Sequence, residues 1–171
     1  MLMPIIALIS AVGAARVCPI AATAALPELS GVWETLLVSG LDRPRADTSR
    51  ATATIVADLQ ACLLHERVVA VAGNPPYEAL IVWGVNGPDS TVQRVFAHSQ
   101  HGRFGVYQGR RRGSELPLRQ MSLSPQPDSV VVENLVVFRD RDHFTITSRL
   151  SNDRGRTWQA LSRWEYRRKS S

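Results

Sequence analysis

The sequence predicts an all-β protein: an antiparallel barrel of eight to ten strands, with a β-sandwich as the alternative. Three observations carry this. Apolar and polar residues alternate at period two in short pieces, the mark of strands with one buried face. Gly, Pro, Asn and Asp separate the pieces. No long stretch has the period of a helix. A length of 171 residues fits one domain, and 44 % hydrophobic residues with four Trp, three Tyr and four Phe exclude plain disorder. So many short strands must curl, pack in two layers or close, and closure removes exposed edges.

The elements follow in order. Gly31 to Ser39 is the first strand, with Trp33, Thr35 and Leu37 on one face and Val32, Leu36 and Val38 on the other. Leu41 to Arg50 reads as a polar connection. Ala51 to Ala72 holds one or two strands, with a short helix around Leu63, Leu64 and Arg67 left open. Gly73-Asn74-Pro75-Pro76 is a break. Tyr77 to Val85 is a strand, and Asn86-Gly87 turns it into Thr91 to Ser99. Gln100-His101-Gly102 turns again, and Phe104 to Gly109 runs back. Pro117 to Ser124 is a strand ended by Pro125-Gln126-Pro127-Asp128. Val130 to Phe138, His143 to Leu150 and Thr157 to Arg168 form the last three strands. In the final one Trp158, Ala160, Ser162, Trp164 and Tyr166 share a face.

Met1 to Ala15 is apolar and uncharged, and Ala22-Thr23-Ala24 offers a small-x-small site with cutting before Ala25. Residues 1–24 are therefore expected to be a signal peptide and 25–171 the barrel, exported to the periplasm or the extracellular space. The alternative is an anchor that stays. Val17 fits poorly before Cys18 as a lipidation site. Removing residues 1–24 leaves about 145 residues, still enough for a sizeable core, and no later run has the length of a membrane span. It also leaves Cys62 alone, read then as a small buried hydrophobe; if Cys18 stays, one bridge is possible.

The chain carries nineteen Arg, one Lys and a formal charge of +5. The Arg residues are dispersed among acidic ones rather than gathered in one stripe, which argues against nucleic acid as a partner. Clusters occur at Arg110, Arg111 and Arg112, and at Arg167, Arg168 and Lys169. There is no Gly-rich phosphate loop, no Cys-x-x-Cys and no His-Glu-x-x-His. His65, His98, His101 and His143 have no ligand spacing, so neither metal nor cofactor is expected. Whether the chain is an enzyme stays open, because Glu34, Glu78, Glu133 and Glu165 lie in separate strands.

The ligand-binding candidates are Trp33, Trp83, Arg94, His98, Tyr107 and Arg149. Arg94 and His98 alternate with Val92 and Phe96. That face is read as facing solvent, with a pocket of mixed polarity as the alternative, and Tyr107 and Arg149 share the ambiguity. A pocket holding Arg94, His98 and Arg149 would suit a small anionic or polar ligand. The four Trp residues are read first as core fillers, Trp33 as a plug at one barrel end, and otherwise as a cavity lining.

Leu29-Ser30-Gly31-Val32-Trp33 opens the body, and Ser151-Asn152-Asp153-Arg154-Gly155-Arg156-Thr157-Trp158 then Trp164-Glu165-Tyr166-Arg167-Arg168 close it. Tyr77-Glu78 and His101-Gly102 fit between them. With Arg154 standing where Gly is usual, this resembles the lipocalin-like proteins of the domain of unknown function DUF1579, over about Leu26 to Arg168. The resemblance implies a calycin-type barrel and a small apolar ligand, and implies no reaction and no catalytic residues. Related barrels hold haem on a proximal His, which none of the four histidines here is assigned to be.

Three function classes follow. The first is an exported barrel that binds a small apolar or anionic ligand in a continuous internal cavity. The second is a non-catalytic envelope or interaction protein using the surface at Arg110, Arg111 and Arg112. The third is a small isomerase or hydrolase, which needs Glu34, Glu78, Arg94 or His98 to converge.

Overall fold

The computed structural model describes residues 18, 21–70, 77–99, 101–121 and 129–170, with backbone only for 101–103. The breaks expected at 73–76 and 125–128, and most of the expected signal peptide, lie outside these residues. The described chain forms a short helix α1 (Ala22–Ala25), then β1 (Gly31–Ser39), β2 (Asp47–Asp58), β3 (Leu63–Ala70), β4 (Glu78–Asn86) and β5 (Thr91–His98). It continues with β6 (His101–Gly109), β7 (Glu115–Gln120), β8 (Val131–Asp140), β9 (His143–Ser151) and β10 (Gln159–Arg168). Each strand pairs antiparallel with its chain neighbours, and β1 pairs with β10, so the sheet closes as a ten-stranded up-and-down barrel rather than a sandwich.

Alternation decides what faces the lumen. Trp33 and Thr35 of β1 stand opposite Ala53 and Ala51 of β2, and Thr35 stands opposite Tyr166 of β10. Small residues on β2 leave room for the large rings across from them. Leu64, Glu66 and Val68 of β3 pair with Trp83, Ile81 and Ala79 of β4. The fully buried side chains include Trp33, Trp83, Tyr166 and Phe144.

Several strand expectations are corrected. Asp47 to Arg50, read as part of a polar loop, is strand, because it pairs with Leu36 to Ser39 while its side chains stay in solvent. Leu63 to Ala70 is strand and not helix. His101 opens β6 instead of sitting in a turn. Trp158 does not share the inner face of Trp164 and Tyr166. A register shift between Ala160 and Ser162 breaks the period of two, and Trp158 lies outside under Arg149, whose guanidinium carbon is 4.4 Å from the ring centre.

One end of the barrel is sealed by the chain before β1. Leu26 and Leu29 are fully buried, and the Trp33 indole N–H donates to the Leu29 carbonyl at 2.9 Å. The Arg168 guanidinium carbon lies 4.2 Å from the Trp33 ring centre, while its terminal nitrogens donate to the carbonyls of Ser30 and Glu28 at 2.7 and 3.0 Å. The Ala22 N–H donates to the Ala61 carbonyl at 2.9 Å. Cys18 is bonded to Cys62, tying this segment to the β2–β3 turn across 44 positions of sequence. Cys62 is thus a half-buried bridge partner and not a buried hydrophobe.

Candidate functional site

The lumen carries a polar cluster at mid-height. Glu66 is fully buried. One of its oxygens accepts the Trp83 indole N–H at 2.8 Å, and the other accepts the Tyr166 hydroxyl at 2.8 Å. These bonds repay part of the cost of enclosing a carboxylate. On β5, two strands from Glu66, Arg94 stands opposite Trp83 on one side and Tyr107 on the other. It is 5 % exposed. Its guanidinium carbon lies 5.0 Å from the Trp83 ring centre and 5.1 Å from that of Phe96. Its Nε is enclosed with no hydrogen-bond partner.

The face of β5 holding Val92, Arg94, Phe96 and His98 is therefore the inner one, and the solvent-facing reading of Arg94 and His98 is corrected. The register decides it: Arg94 pairs with Trp83 and Tyr107, and Phe96 with Ile81, so these residues share a side with the core. Arg149 does not join them. It lies on the outer face of β9, where it donates to the buried Glu133, which Arg119 also approaches at 3.6 Å. Of the candidates, Trp83, Arg94, His98 and Tyr107 come together in the lumen, and Trp33 plugs the sealed end.

Away from the sealed end the lumen is aromatic. Tyr77 lies with its ring centre 5.7 Å from that of His98 on β5 and 6.2 Å from that of Trp164 on β10. Those strands are well separated around the barrel, so the Tyr77 ring crosses the lumen to reach both. Phe96 and Trp164 line the space beside it, half-buried. Burial pushes the Tyr77 hydroxyl up to about 12, with Arg94 opposing and Glu66 adding to the shift. Burial and then the charge of Glu66 raise Tyr166 as well.

These raised values predict an alkaline limit. The folded state holds the tyrosine protons more tightly than the unfolded chain, so the stabilisation is complete below pH 10 and is lost from there towards 12. Denaturant unfolding measured across this window is expected to show a steady fall in stability; a flat profile would contradict the burial of both phenols.

Among the described residues, Trp33, Phe144, Tyr166 and their neighbours are packed at the sealed end, and the Tyr77 ring lies towards the other. Depressions of about 330, 440 and 430 Å³ lie over β1 and β10 at Glu34 and Glu165, over β3 to β5 at His65, Arg67, Glu78, Leu80 and His98, and beside α1 at Ala24 and Arg110. Glu34 and Glu78 are exposed on the outer face, and Glu78 pairs with Arg67 at 3.1 Å. Glu34 stands apart from Glu78, while Glu78 and His98 border the same depression. The Arg110 to Arg112 cluster is partly spent, since Arg110 pairs with Asp89 and Arg111 with Glu28 at 3.0 and 2.7 Å. Among the described residues no group of three His, Cys, Asp or Glu side chains could hold a metal ion, and no helix is long and apolar enough to cross a membrane.

Sequence reasoning missed Glu66, Tyr77, Trp164 and Tyr166 as a set. The pattern Leu64-x-Glu66-x-Val68 was the available signal, a carboxylate on an otherwise apolar strand face.

No family model and no curated protein matches the chain. Solved structures do. The chain is similar to Rv2717c from M. tuberculosis at 18 % identity, over 86 % of this chain and 97 % of that one, with a TM-score of 0.61. It is also similar to the S-type phycobiliprotein lyase CPES from Guillardia theta at 12 % identity, over 89 % and 94 % of the two chains, with a TM-score of 0.54. At such identities a likeness speaks for architecture and not for activity. The architecture is a closed ten-stranded antiparallel β-barrel, consistent with a lipocalin-like, calycin-type barrel.

Proposed function

We propose that the chain is an exported binding protein for a small ligand, which it takes into the barrel end bounded by Phe96, His98 and Trp164. The observation that carries this reading is the Tyr77 ring, half-buried between His98 and Trp164. It fills an aromatic space with a single side chain, where the opposite end is filled by the packed main chain and Trp33. Barrels of this general type can enclose one small ligand. The ligand's ring would take the place Tyr77 holds, and the aromatic lining by Phe96 and Trp164 supports an apolar component.

Titration with N-phenyl-1-naphthylamine, an uncharged fluorescent probe, tests this. Saturable one-site binding is expected, and Tyr77→Ala is expected to bind at least as tightly because the occupant is gone. An absence of saturable binding in both proteins would overturn the reading.

Export is supported by the Cys18–Cys62 bridge, since disulfides persist in oxidising compartments. The same bridge bears on processing. A cut before Ala25 would remove Cys18 and the buried Ala22. Gly13-Ala14-Ala15 supplies a second small-x-small site, with cutting before Arg16. Mass spectrometry of the exported chain is expected to find an amino terminus ahead of Cys18; a terminus at Ala25 would contradict this.

A further inference from the structure

We propose that Arg94 is the binding site for an anionic group, a carboxylate or its like, on the ligand of this barrel. The inference rests on the binding reading above and adds the ligand's chemical class. Arg94 is 5 % exposed, and a guanidinium is charged at every physiological pH. Burying such a charge is costly unless it is paired and hydrogen-bonded. Among the described residues no hydrogen bond and no salt bridge reaches it, and its Nε is enclosed without a partner.

The charges nearby do not fill that role. Glu66 carries the opposite sign, but its two oxygens accept from Trp83 and Tyr166, and it makes no salt bridge with Arg94. Glu66 therefore acts on Arg94 as a countercharge at a distance and leaves its donors unspent. The contacts Arg94 does make, over the rings of Trp83 and Phe96, engage aromatic faces. They do not use the N–H donors, which lie in the guanidinium plane and match a carboxylate fork. Phe96 links the two halves of the site. It touches Arg94 on one side and lies 5.3 Å from His98 on the other, centre to centre, so the aromatic end leads directly to the cation. A ligand with a ring beside Trp164 and an acid group reaching past Phe96 to Arg94 satisfies both.

The test compares naphthalene-1-carboxylate with naphthalene-1-carboxamide, which share size and ring and differ in charge. Calorimetry at neutral pH on the wild-type protein and on Tyr77→Ala is expected to show the carboxylate binding about tenfold tighter or better, as for a desolvated charge-assisted pair. Arg94→Gln is expected to abolish that preference while retaining the amide. Equal affinities for the two compounds would overturn the anion site and leave the binding reading standing. Failure of both compounds on both proteins would overturn both. A preference that persists in Arg94→Gln would assign the anion to another residue. Should Arg94→Gln not fold, Arg94→Lys serves. It keeps the charge and loses the fork, so it is expected to reduce the preference, and an unchanged ratio would overturn the assignment.

Discussion

Trp33→Ala is expected to cost the barrel about 3–5 kcal/mol, the range for removing a large aromatic side chain from a packed core. Trp33 is fully buried. It meets Phe144 edge to face, with ring centres 4.8 Å apart, and Tyr166 at 6.4 Å. The truncation empties that space and strips the Leu29 carbonyl of its indole donor. It also leaves Arg168 without the ring beneath it. Collapse cannot refill the site, because β1 is held in register on both sides by β2 and β10. Trp33→Phe keeps most of the packing and loses the indole hydrogen bond, so it is expected to cost much less. Urea unfolding of the two variants checks this; equal, small losses would show that Trp33 does not seal the barrel.

Loss of the Cys18–Cys62 bridge is expected to have the next largest effect, about 2–4 kcal/mol. The bridge spans 44 positions of sequence. In the chain-entropy account it removes freedom mainly from the unfolded state. In the folded state it holds the segment carrying Ala22 and Leu26, both fully buried, against the β2–β3 turn. Cys18→Ser and Cys62→Ser should therefore match each other and match the reduced wild type in thermal unfolding. If reduction leaves the exported protein's midpoint unchanged, the bridge is absent from the mature chain, and the cut lies after Cys18.

Much of the fold was legible from alternation alone. Gly31 to Ser39 was read with its bounds and with Trp33, Thr35 and Leu37 on one face, because the segment is rich in β-branched and aromatic residues and is bracketed by Gly31 and Gly40. The closing hairpins were legible for the same reason. What failed has definite physical causes. On β5 both faces carry a mixture: Val92, Arg94, Phe96 and His98 against Gln93, Val95 and Ala97. Only the register with Trp83 and Tyr107, a long-range fact, shows which side faces inward. Glu66 was missed because a lone carboxylate ordinarily faces water, and its partners Trp83 and Tyr166 are 17 and 100 positions away. Trp158 was placed inward because a bulge at Ala160 and Ser162 resets parity without a mark in the sequence. Arg149 was grouped with Arg94 by charge, yet the strand alternation of β9 and Glu133 draw it outside.

The binding reading and the anion site meet in one measurement, a crystal structure of the protein with naphthalene-1-carboxylate. The carboxylate is expected within hydrogen-bond distance of Arg94, the naphthalene ring between His98 and Trp164, and Tyr77 displaced. A ligand seated on the outer groove at His65 and Leu80, with Tyr77 still in the lumen, would contradict it.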